Sequence, residues 1–308
     1  PNPGIYIDEP ISVMDYASLY PSSMISENIS HDSIVLDSKY DNLPDYEYID
    51  IVYDIYEGTG DKKKKVGEKT CRFAKFPDNK KGILPRILMT LLKQRKQTRK
   101  RINEQRLTLS DGRSIVGFKD TTNPSETEGK YIVFHEVKTG TKHHIPEPLV
   151  VSCVDAHNDF MKAVLDGLQL AYKTTANSLY GQVGSRTSQI YMKELAASTT
   201  ATGRNLIIKA KSFMEERYGA EIVYGDTDSI FVNFRFHEKH GLKNKDALEK
   251  SIAVSIKASK EFKDECLTSP HDLEYEKTFY PFIILSKKRY VGNLYEHDIH
   301  KYKQKSMG

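Results

Sequence analysis

Short runs of apolar, often β-branched residues predict strands at several places along the chain. The first run, residues 5–15, ends at Asp15, so a buried strand is expected to carry a carboxylate at its C-terminal end. Residues 222–224 and 230–232 predict two strands joined by a tight turn of sequence Gly-Asp-Thr-Asp-Ser. Further strands are expected within 40–82, in a small hairpin at 132–145, and near 273–276 and 282–290.

Apolar residues spaced three and four positions apart predict helices between these strands. The pattern is clearest over 85–107, where Ile87, Leu88 and Leu91 lie on one stripe. Similar spacing predicts helices at 19–27, 155–180, 195–218 and 245–266. Residues 108–148 are punctuated by Pro and Gly and interrupt the helical pattern. This order predicts an α+β fold, with an antiparallel sheet backed by helices and an inserted helical hairpin.

Composition excludes several classes of protein. The 308 residues are 38% hydrophobic and include 19 Tyr and 12 Phe, which argues against a disordered chain. The three cysteines form no CxxC pair, so neither a zinc knuckle nor a redox dithiol is indicated, and a reducing compartment is expected. The longest apolar run, 279–285, is too short for a membrane span. The termini are typical of a piece of a longer protein, and the length predicts two modules.

Charge is informative through its distribution, because a net charge of +4 is weak evidence for any partner. Between Arg86 and Arg106 there are eight basic residues and one acid, a pattern typical of a phosphate-binding surface. Arg95 and Arg99 are four residues apart and could grip phosphate oxygens with forked hydrogen bonds. A solvated helix face is the alternative interpretation of the same pattern.

Carboxylates suggest a second kind of site. Asp226 and Asp228 share one tight turn, where two negative charges are costly unless a cation lies nearby. Oxygen ligands suit Mg²⁺, and Asp15 at its own strand end would complete the layout of a two-metal phosphoryl-transfer site. An ordinary surface turn remains the alternative, because the Asp-x-Asp pattern is common in turns.

A third group of polar residues lies on a predicted helix. Lys173, Asn177 and Tyr180 follow at steps of four and three and therefore share one face. A cation, an amide and an aromatic ring in a row could hold a triphosphate, a sugar and a base. An amphipathic helix with scattered polar residues would give the same spacing.

Together these motifs resemble those of family B DNA polymerases, in the family's order. The matching segments are Asp15-Tyr-Ala-Ser-Leu-Tyr-Pro-Ser, Lys173-x-x-x-Asn-Ser-x-Tyr-Gly, Tyr224-Gly-Asp-Thr-Asp-Ser and Lys287-Lys-Arg-Tyr290. The segment from Leu273 to Lys277 is most similar to delta-type replicases and their counterparts in large DNA viruses. The long region around 32–82 and the insert at 108–150 favour a viral enzyme.

The resemblance implies an architecture and a set of partners. Residues 1–82 and 184–308 would form the palm, and 83–183 the fingers, whose tip carries a β-rich insert at about 108–150. The implied activity is template-directed addition of deoxynucleoside triphosphates to a primer 3′-OH in DNA replication. Primer–template DNA and deoxynucleoside triphosphates are the expected partners, with no membrane and with two Mg²⁺ ions, for which Mn²⁺ can substitute. A processivity factor is an open partner, and the expected location is intracellular, at a nuclear or cytoplasmic replication site.

The resemblance also implies roles for individual residues. Asp15 and Asp228 match the metal-bridging carboxylates and Asp226 the adjacent acid, with Glu274 and Glu276 as further candidate ligands. The nucleotide-binding candidates are Tyr20 as the sugar gate, Arg95, Arg99, Lys173, Asn177 and Tyr180. The DNA-binding candidates are Lys287, Lys288, Arg289 and Tyr290. Arg99 departs from the family pattern, where Lys is frequent, and this changes hydrogen-bond geometry while keeping the charge.

Two other functions compete with a DNA polymerase. A non-catalytic polymerase-like module would bind DNA or scaffold a replisome, but inactivated copies usually lose a metal carboxylate and all three acids are present here. An RNA polymerase built on the same palm is the second alternative, and Tyr20 and the Lys173 motif argue against it.

Overall fold

The fold is defined by a computed structural model that describes residues 2–58, 62–119 and 131–308. The strands are β1 (Gly4–Tyr6), β2 (Ile11–Tyr16), β3 (Ile34–Val35), β4 (Glu47–Glu57), β5 (Lys64–Lys75), β6 (Gln105–Leu109), β7 (Ser114–Lys119), β8 (Tyr131–Glu136), β9 (Lys142–Pro146), β10 (Val150–Asp155), β11 (Glu221–Gly225), β12 (Ser229–Asn233), β13 (Leu273–Ser286), β14 (Arg289–Tyr295) and β15 (Lys303–Met307). The helices are α1 (Leu19–Ser26), α2 (Ile83–Ile102), α3 (Asp159–Gly184), α4 (Lys193–Tyr218), α5 (Phe236–His240) and α6 (Asn244–Cys266). The sequence-based prediction of helices combined with antiparallel sheets is therefore confirmed.

The chain divides into two compact units. The first contains the chain up to Ile87 together with Leu179–Gly308, and the second contains Leu88–Ser178. Helices α2 and α3 each begin in one unit and end in the other. None of the described helices is long and apolar enough to cross a membrane.

The first unit is built on a seven-stranded antiparallel sheet. Its strand order is β11-β12-β2-β13-β14-β15, and β1 pairs with β13. Strand β2 therefore lies between β12 and β13 and is paired along both edges. Strand β2 is also covered on both faces, so its residues are almost all buried, as expected of a central strand.

Side chains of β2 alternate between two separate cores. Met14 and Tyr16 point to the side of α4 and α6, where they join a buried cluster that includes Phe262. Ser12 lies on the same side, and its hydroxyl is hydrogen-bonded to those of Ser251 (2.9 Å) and Thr278 (3.0 Å), which fixes α6 against the sheet. The opposite face carries an aromatic cluster of Ile11, Val13, Val223, Tyr224, Phe231, Phe279, Phe282, Ile284 and Tyr290.

A three-stranded sheet of order β3-β5-β4 follows α1, and the chain then enters α2. An α-helix leaves its first N–H groups without intrahelical partners. Here Asn28 accepts from the Gly82 N–H at 2.8 Å and Asp32 from the Ile83 N–H at 3.1 Å, so the loop after α1 caps the start of α2.

The second unit contains a five-stranded antiparallel sheet of order β10-β6-β7-β8-β9. Strands β6 and β10 are paired, so the first and last strands of this sheet in chain order are neighbours. Its core consists of Leu107, Leu109, Phe134 and Ile145. The helix expected to reach 107 ends at Ile102 instead, because Leu107 and Leu109 alternate into this core as part of β6.

Candidate active site

The first feature of the site is a pair of carboxylates on neighbouring strands. Asp15 of β2 lies opposite Ser229 of β12, directly after Asp228. The Tyr16 N–H donates to the Asp228 carbonyl at 2.8 Å and fixes this arrangement. Two acids that are remote in sequence are thus held at one end of adjacent strands. On its other edge, Asp15 is paired with Glu274 of β13.

The turn between β11 and β12 holds Asp226 and Asp228 in different environments. Burial acts to raise the pKa of the Asp226 carboxyl, but hydrogen bonds from Lys288 and from the Thr227 N–H outweigh it, and this pKa is lowered. The Lys288 Nζ lies 2.9 Å from Asp226 Oδ2. Burial raises the pKa of Asp228, and repulsion by Asp226 and Glu276 adds to the increase. Of the two acids in this turn, Asp228 is therefore the one that gains more from a nearby cation.

The donor chemistry at this end of the sheet fits a hard cation such as Mg²⁺, because the groups are carboxylate oxygens. Asp15 and Asp228 are the central pair, Glu274 is the register partner of Asp15, and Glu276 lies at a bulge in β13. Within residues 2–58, 62–119 and 131–308, no three or more His, Cys, Asp or Glu side chains are arranged to hold a metal ion. The site therefore offers the type of ligand atom that Mg²⁺ prefers, and one pair of carboxylates, Asp15 and Asp228, on neighbouring strands.

Two aromatic rings, those of Tyr20 and Tyr180, pack against each other, and Tyr20 lies within electrostatic range of Asp228. The Tyr20 and Tyr180 ring centroids are 4.4 Å apart and inclined at 35°. Burial raises the pKa of the Tyr20 hydroxyl, the charge of Asp228 raises it further, and Arg204 opposes the increase. Tyr20 is therefore within electrostatic range of both Asp228 and Arg204.

Gly203 of α4 lies directly against Tyr20. A Cβ at this position would be 3.2 Å from Cε1 of Tyr20 and 3.2 Å from Cδ2 of Leu19. Both distances are shorter than ordinary carbon–carbon contacts of about 3.5–4.0 Å. Sequence analysis missed Gly203 and Arg204, although a glycine in the middle of a helical pattern is a signal of close packing.

The basic candidates on α2 and α3 belong to the second unit. Arg95 is half-buried, and its Nε donates to Gln169 Oε1 at 3.5 Å, which connects α2 with α3 one turn before Lys173. Arg99, Lys173 and Asn177 are exposed. The structure thus brings Arg95 to α3 and leaves the other three side chains in solvent.

The Lys287-Lys288 pair forms the two-residue turn between β13 and β14. Lys288 adopts a left-handed backbone (φ 62°), and its N–H donates to the Tyr224 hydroxyl at 3.2 Å. Lys287 and Arg289 are exposed, whereas Tyr290 is buried in the aromatic cluster beneath the sheet. Only part of this motif is therefore free to contact a nucleic acid directly.

Comparison with known proteins identifies a matching family model and several related proteins. The model of "DNA polymerase family B" matches residues 1–113 and 152–308. The chain is 68% identical to a DNA polymerase of Pyramimonas orientalis virus, over 100% of this chain and 25% of that protein. It is 29% identical to the DNA polymerase delta catalytic subunit of Dictyostelium discoideum, over 95% of this chain and 20% of that subunit.

The family B DNA polymerase of the archaeon Pyrobaculum calidifontis shares the fold. The TM-score is 0.53 at 22% identity, covering 100% of this chain and 28% of the archaeal one. The chain spans about a quarter of the length of the first viral relative. The expected similarity to viral and delta-type polymerases is confirmed. From the extent of the family match and the identity to the viral polymerase, we conclude that this chain belongs to DNA polymerase family B.

Proposed function

We propose that this chain is the palm and fingers of a template-directed DNA polymerase that extends a primer 3′-OH with deoxynucleoside triphosphates. The observation that carries the proposal is the placement of Asp15 and Asp228 at one end of paired strands. In this proposal the palm consists of 1–82 and 184–308 and the fingers of 83–183. The division of the chain into two compact units supports this assignment.

The carboxylates supply negative charge at the reacting centre. Asp15 and Asp228 would hold the divalent ions, Mg²⁺ or Mn²⁺, and Glu274 is placed to reinforce Asp15 from the next strand. Bound ions of this kind neutralise phosphate charge and increase the acidity of an attacking hydroxyl. Asp226 is already paired with Lys288, so we assign it the less direct role of holding the turn.

The incoming nucleotide would be bound by basic side chains, an amide and two aromatic rings. Phosphoryl transfer depends largely on positioning and charge neutralisation, which Arg95, Arg99 and Lys173 can provide for a triphosphate. Asn177 would hydrogen-bond the nucleotide. Tyr20 and Tyr180 offer two adjacent rings for the deoxyribose and the nascent base pair, and the 4.4 Å distance between their ring centroids supports a shared role.

Primer–template DNA would meet the turn between β13 and β14. The exposed Lys287 and Arg289 can contact phosphates without reading sequence. Lys288 and Tyr290 would act indirectly, through Asp226 and the aromatic cluster. We place this activity in replication at an intracellular site and leave a processivity factor as an additional candidate partner.

Primer extension by the full-length polymerase tests the proposal. Asp15→Asn and Asp228→Asn should each reduce the rate of nucleotide addition by orders of magnitude while affinity for primer–template stays nearly unchanged, because the loss falls on the transition state. Asp272→Asn is a matched control, since Asp272 is paired with Lys263 near the same sheet and should retain activity. Full activity of either active-site variant would exclude this assignment, and a wild-type enzyme that binds DNA without extending it would favour the non-catalytic module.

A further inference from the structure

Helix α4 is packed between two other elements of the first unit, α1 and β4. Gly203 faces α1, where a Cβ would lie 3.2 Å from atoms of both Leu19 and Tyr20. The next residue, Arg204, projects about 100° further round the helix, because an α-helix has 3.6 residues per turn. A cleft of about 190 Å³ separates the face of α4 that carries Arg204 from β4, and it is lined by Ala197, Thr200, Ala201 and Arg204 on one side and by Tyr53, Asp54, Tyr56 and Lys63 on the other. Arg204 therefore lies at the border between the contact with Tyr20 and the contact with β4.

Asp54 of β4 fixes one end of the Arg204 side chain. Its Oδ2 lies 3.6 Å from Arg204 Nη1 and accepts a hydrogen bond from the Tyr56 hydroxyl at 3.0 Å. Its Oδ1 is paired with Lys65 Nζ at 2.7 Å. Hydrogen bonds from Lys65 and Tyr56 lower the pKa of the Asp54 carboxyl, so the group stays charged. The guanidinium of Arg204 is thus held by an acid that is itself fixed by its neighbours in the β4–β5 hairpin.

Tyr20 lies on the other side of Arg204. Burial and the charge of Asp228 raise the pKa of the Tyr20 hydroxyl, whereas the charge of Arg204 acts to lower it. The hydroxyl is therefore in the field of an anion and of a cation at once. The Tyr20 ring is only half-buried and contacts Tyr180, with the ring centroids 4.4 Å apart. Charges and ring contacts, together with the packing of Gly203, thus decide where this ring lies.

We propose that Arg204 is a positioning residue for sugar selection, held by Asp54 and acting on the ring of Tyr20. A side-chain hydroxyl orients in the local field, here with its oxygen toward the guanidinium and its hydrogen toward Asp228. Displacement of the ring would take the hydroxyl oxygen away from the cation, so the interaction resists movement of the ring. Because sugar selection presupposes nucleotide addition, this role rests on the proposed polymerase function.

The Asp54–Arg204 pair is suited to positioning and contributes little to stability. The Arg204 side chain is 55% exposed, and exposed ion pairs add little to the free energy of unfolding. Removal of Arg204 also leaves Asp54 paired with Lys65, so no carboxylate becomes unpaired. Loss of Arg204 should therefore leave the fold intact while it releases the ring of Tyr20.

Single-turnover incorporation of dATP and ATP by the full-length polymerase measures discrimination, as the ratio of the two incorporation efficiencies. Arg204→Ala should reduce discrimination against the ribonucleotide by about 2- to 5-fold, the range expected when one exposed charge interaction is lost. Arg204→Lys keeps the charge and should retain most of the discrimination. Asp54→Asn should reduce it as well, because the guanidinium loses its anchor. Arg217→Ala is the matched control and should discriminate as the wild type does, since Arg217 lies on the same helix and is paired with Glu265 at 2.7 Å.

Double variants test whether Arg204 acts through Tyr20. Tyr20→Ala/Arg204→Ala should discriminate no worse than Tyr20→Ala alone, because the ring that Arg204 holds is already gone. Asp54→Asn/Arg204→Ala should likewise match Arg204→Ala. A general structural loss, or a direct contact of Arg204 with the nucleotide, would instead reduce discrimination further when Tyr20 is also replaced.

The positioning role is excluded if Arg204→Ala discriminates as the wild type does, if Arg217→Ala loses as much, or if the effects of Tyr20→Ala and Arg204→Ala multiply. Should Arg204→Ala fail to fold, Asp54→Asn replaces it, and wild-type discrimination in Asp54→Asn would overturn the role. A wild-type enzyme that does not extend primers would overturn the polymerase function as well. Primer extension with unaltered discrimination in Arg204→Ala would refute the positioning role alone.

Discussion

Gly203 of α4 offers a sharp test of how Tyr20 is positioned. Substitution by Ala has two opposing effects on stability. Ala stabilises a helix interior by about 1 kcal/mol relative to Gly. The new Cβ, however, would lie 3.2 Å from both Leu19 and Tyr20, and overpacking of this kind costs about 1–3 kcal/mol.

The two neighbours differ in their freedom to move. Leu19 is 3% exposed and packed in the main core, so it can yield little. Tyr20 is half-buried, and its ring is the neighbour that can shift, which would disturb its contact with Tyr180. Gly203→Ala should therefore reduce discrimination against ribonucleotides, while the protein still folds.

Gly167→Ala is the control, because Gly167 lies within α3 and a Cβ there would meet nothing within 4 Å. This control should gain about 1 kcal/mol of unfolding free energy. Gly203→Ala should be less stable than the control by about 1–3 kcal/mol, which is the packing cost alone. Urea unfolding measures that difference, and single-turnover incorporation of ribo- and deoxyribonucleotides measures discrimination. If Gly203→Ala is as stabilising as Gly167→Ala and discrimination is unchanged, Gly203 does not position Tyr20.

Three further predictions concern other residues. Tyr20→Ala should increase ribonucleotide incorporation by orders of magnitude while deoxynucleotide incorporation changes far less, because removal of a steric gate needs no new contact; unchanged discrimination in competition assays would place the gate elsewhere. Lys173→Ala should raise the nucleotide KM and lower kcat in steady-state kinetics, since a triphosphate contact contributes to both, whereas wild-type values for both would refute the contact. Burial lowers the pKa of His271 below 6.5, so the unfolded chain binds more protons, and the unfolding free energy should fall as the pH drops below about 6.5. His271→Gln should flatten that dependence in urea titrations at several pH values, and an unaltered slope would assign it to other groups.

The carboxylates at the end of the main sheet could be predicted from sequence, because the patterns that indicate them lie within short segments. Asp15 ends an apolar run, and Asp226 and Asp228 occupy a turn between two such runs, so all three supporting strands could be predicted from short apolar runs alone. That β2 lies beside β12 could not be predicted from local pattern, because the pairing joins segments far apart in the chain.

Other features depend on contacts that local pattern does not encode. The helix predicted from sequence extended to Leu107, and the core of the five-stranded sheet explains why this residue belongs to a strand instead. Tyr290 belongs to a motif associated with DNA, yet strand register directs its ring into the aromatic cluster. Gly203 meets Leu19 and Tyr20 through the packing of α4 on α1, two helices that are far apart in the sequence.

The pairing of β6 with β10 has a consequence for how much the segment between them can vary in length. Val150 is opposite Leu109, so the two ends of the intervening segment are already neighbours. Because β6 and β10 pair directly, a change in length between them can be absorbed beyond this stem without separating its two ends. The family match lapses after residue 113 and resumes at 152, close to this stem. Surface residues between 114 and 151 can thus vary with little effect on the strands that carry Asp15 and Asp228.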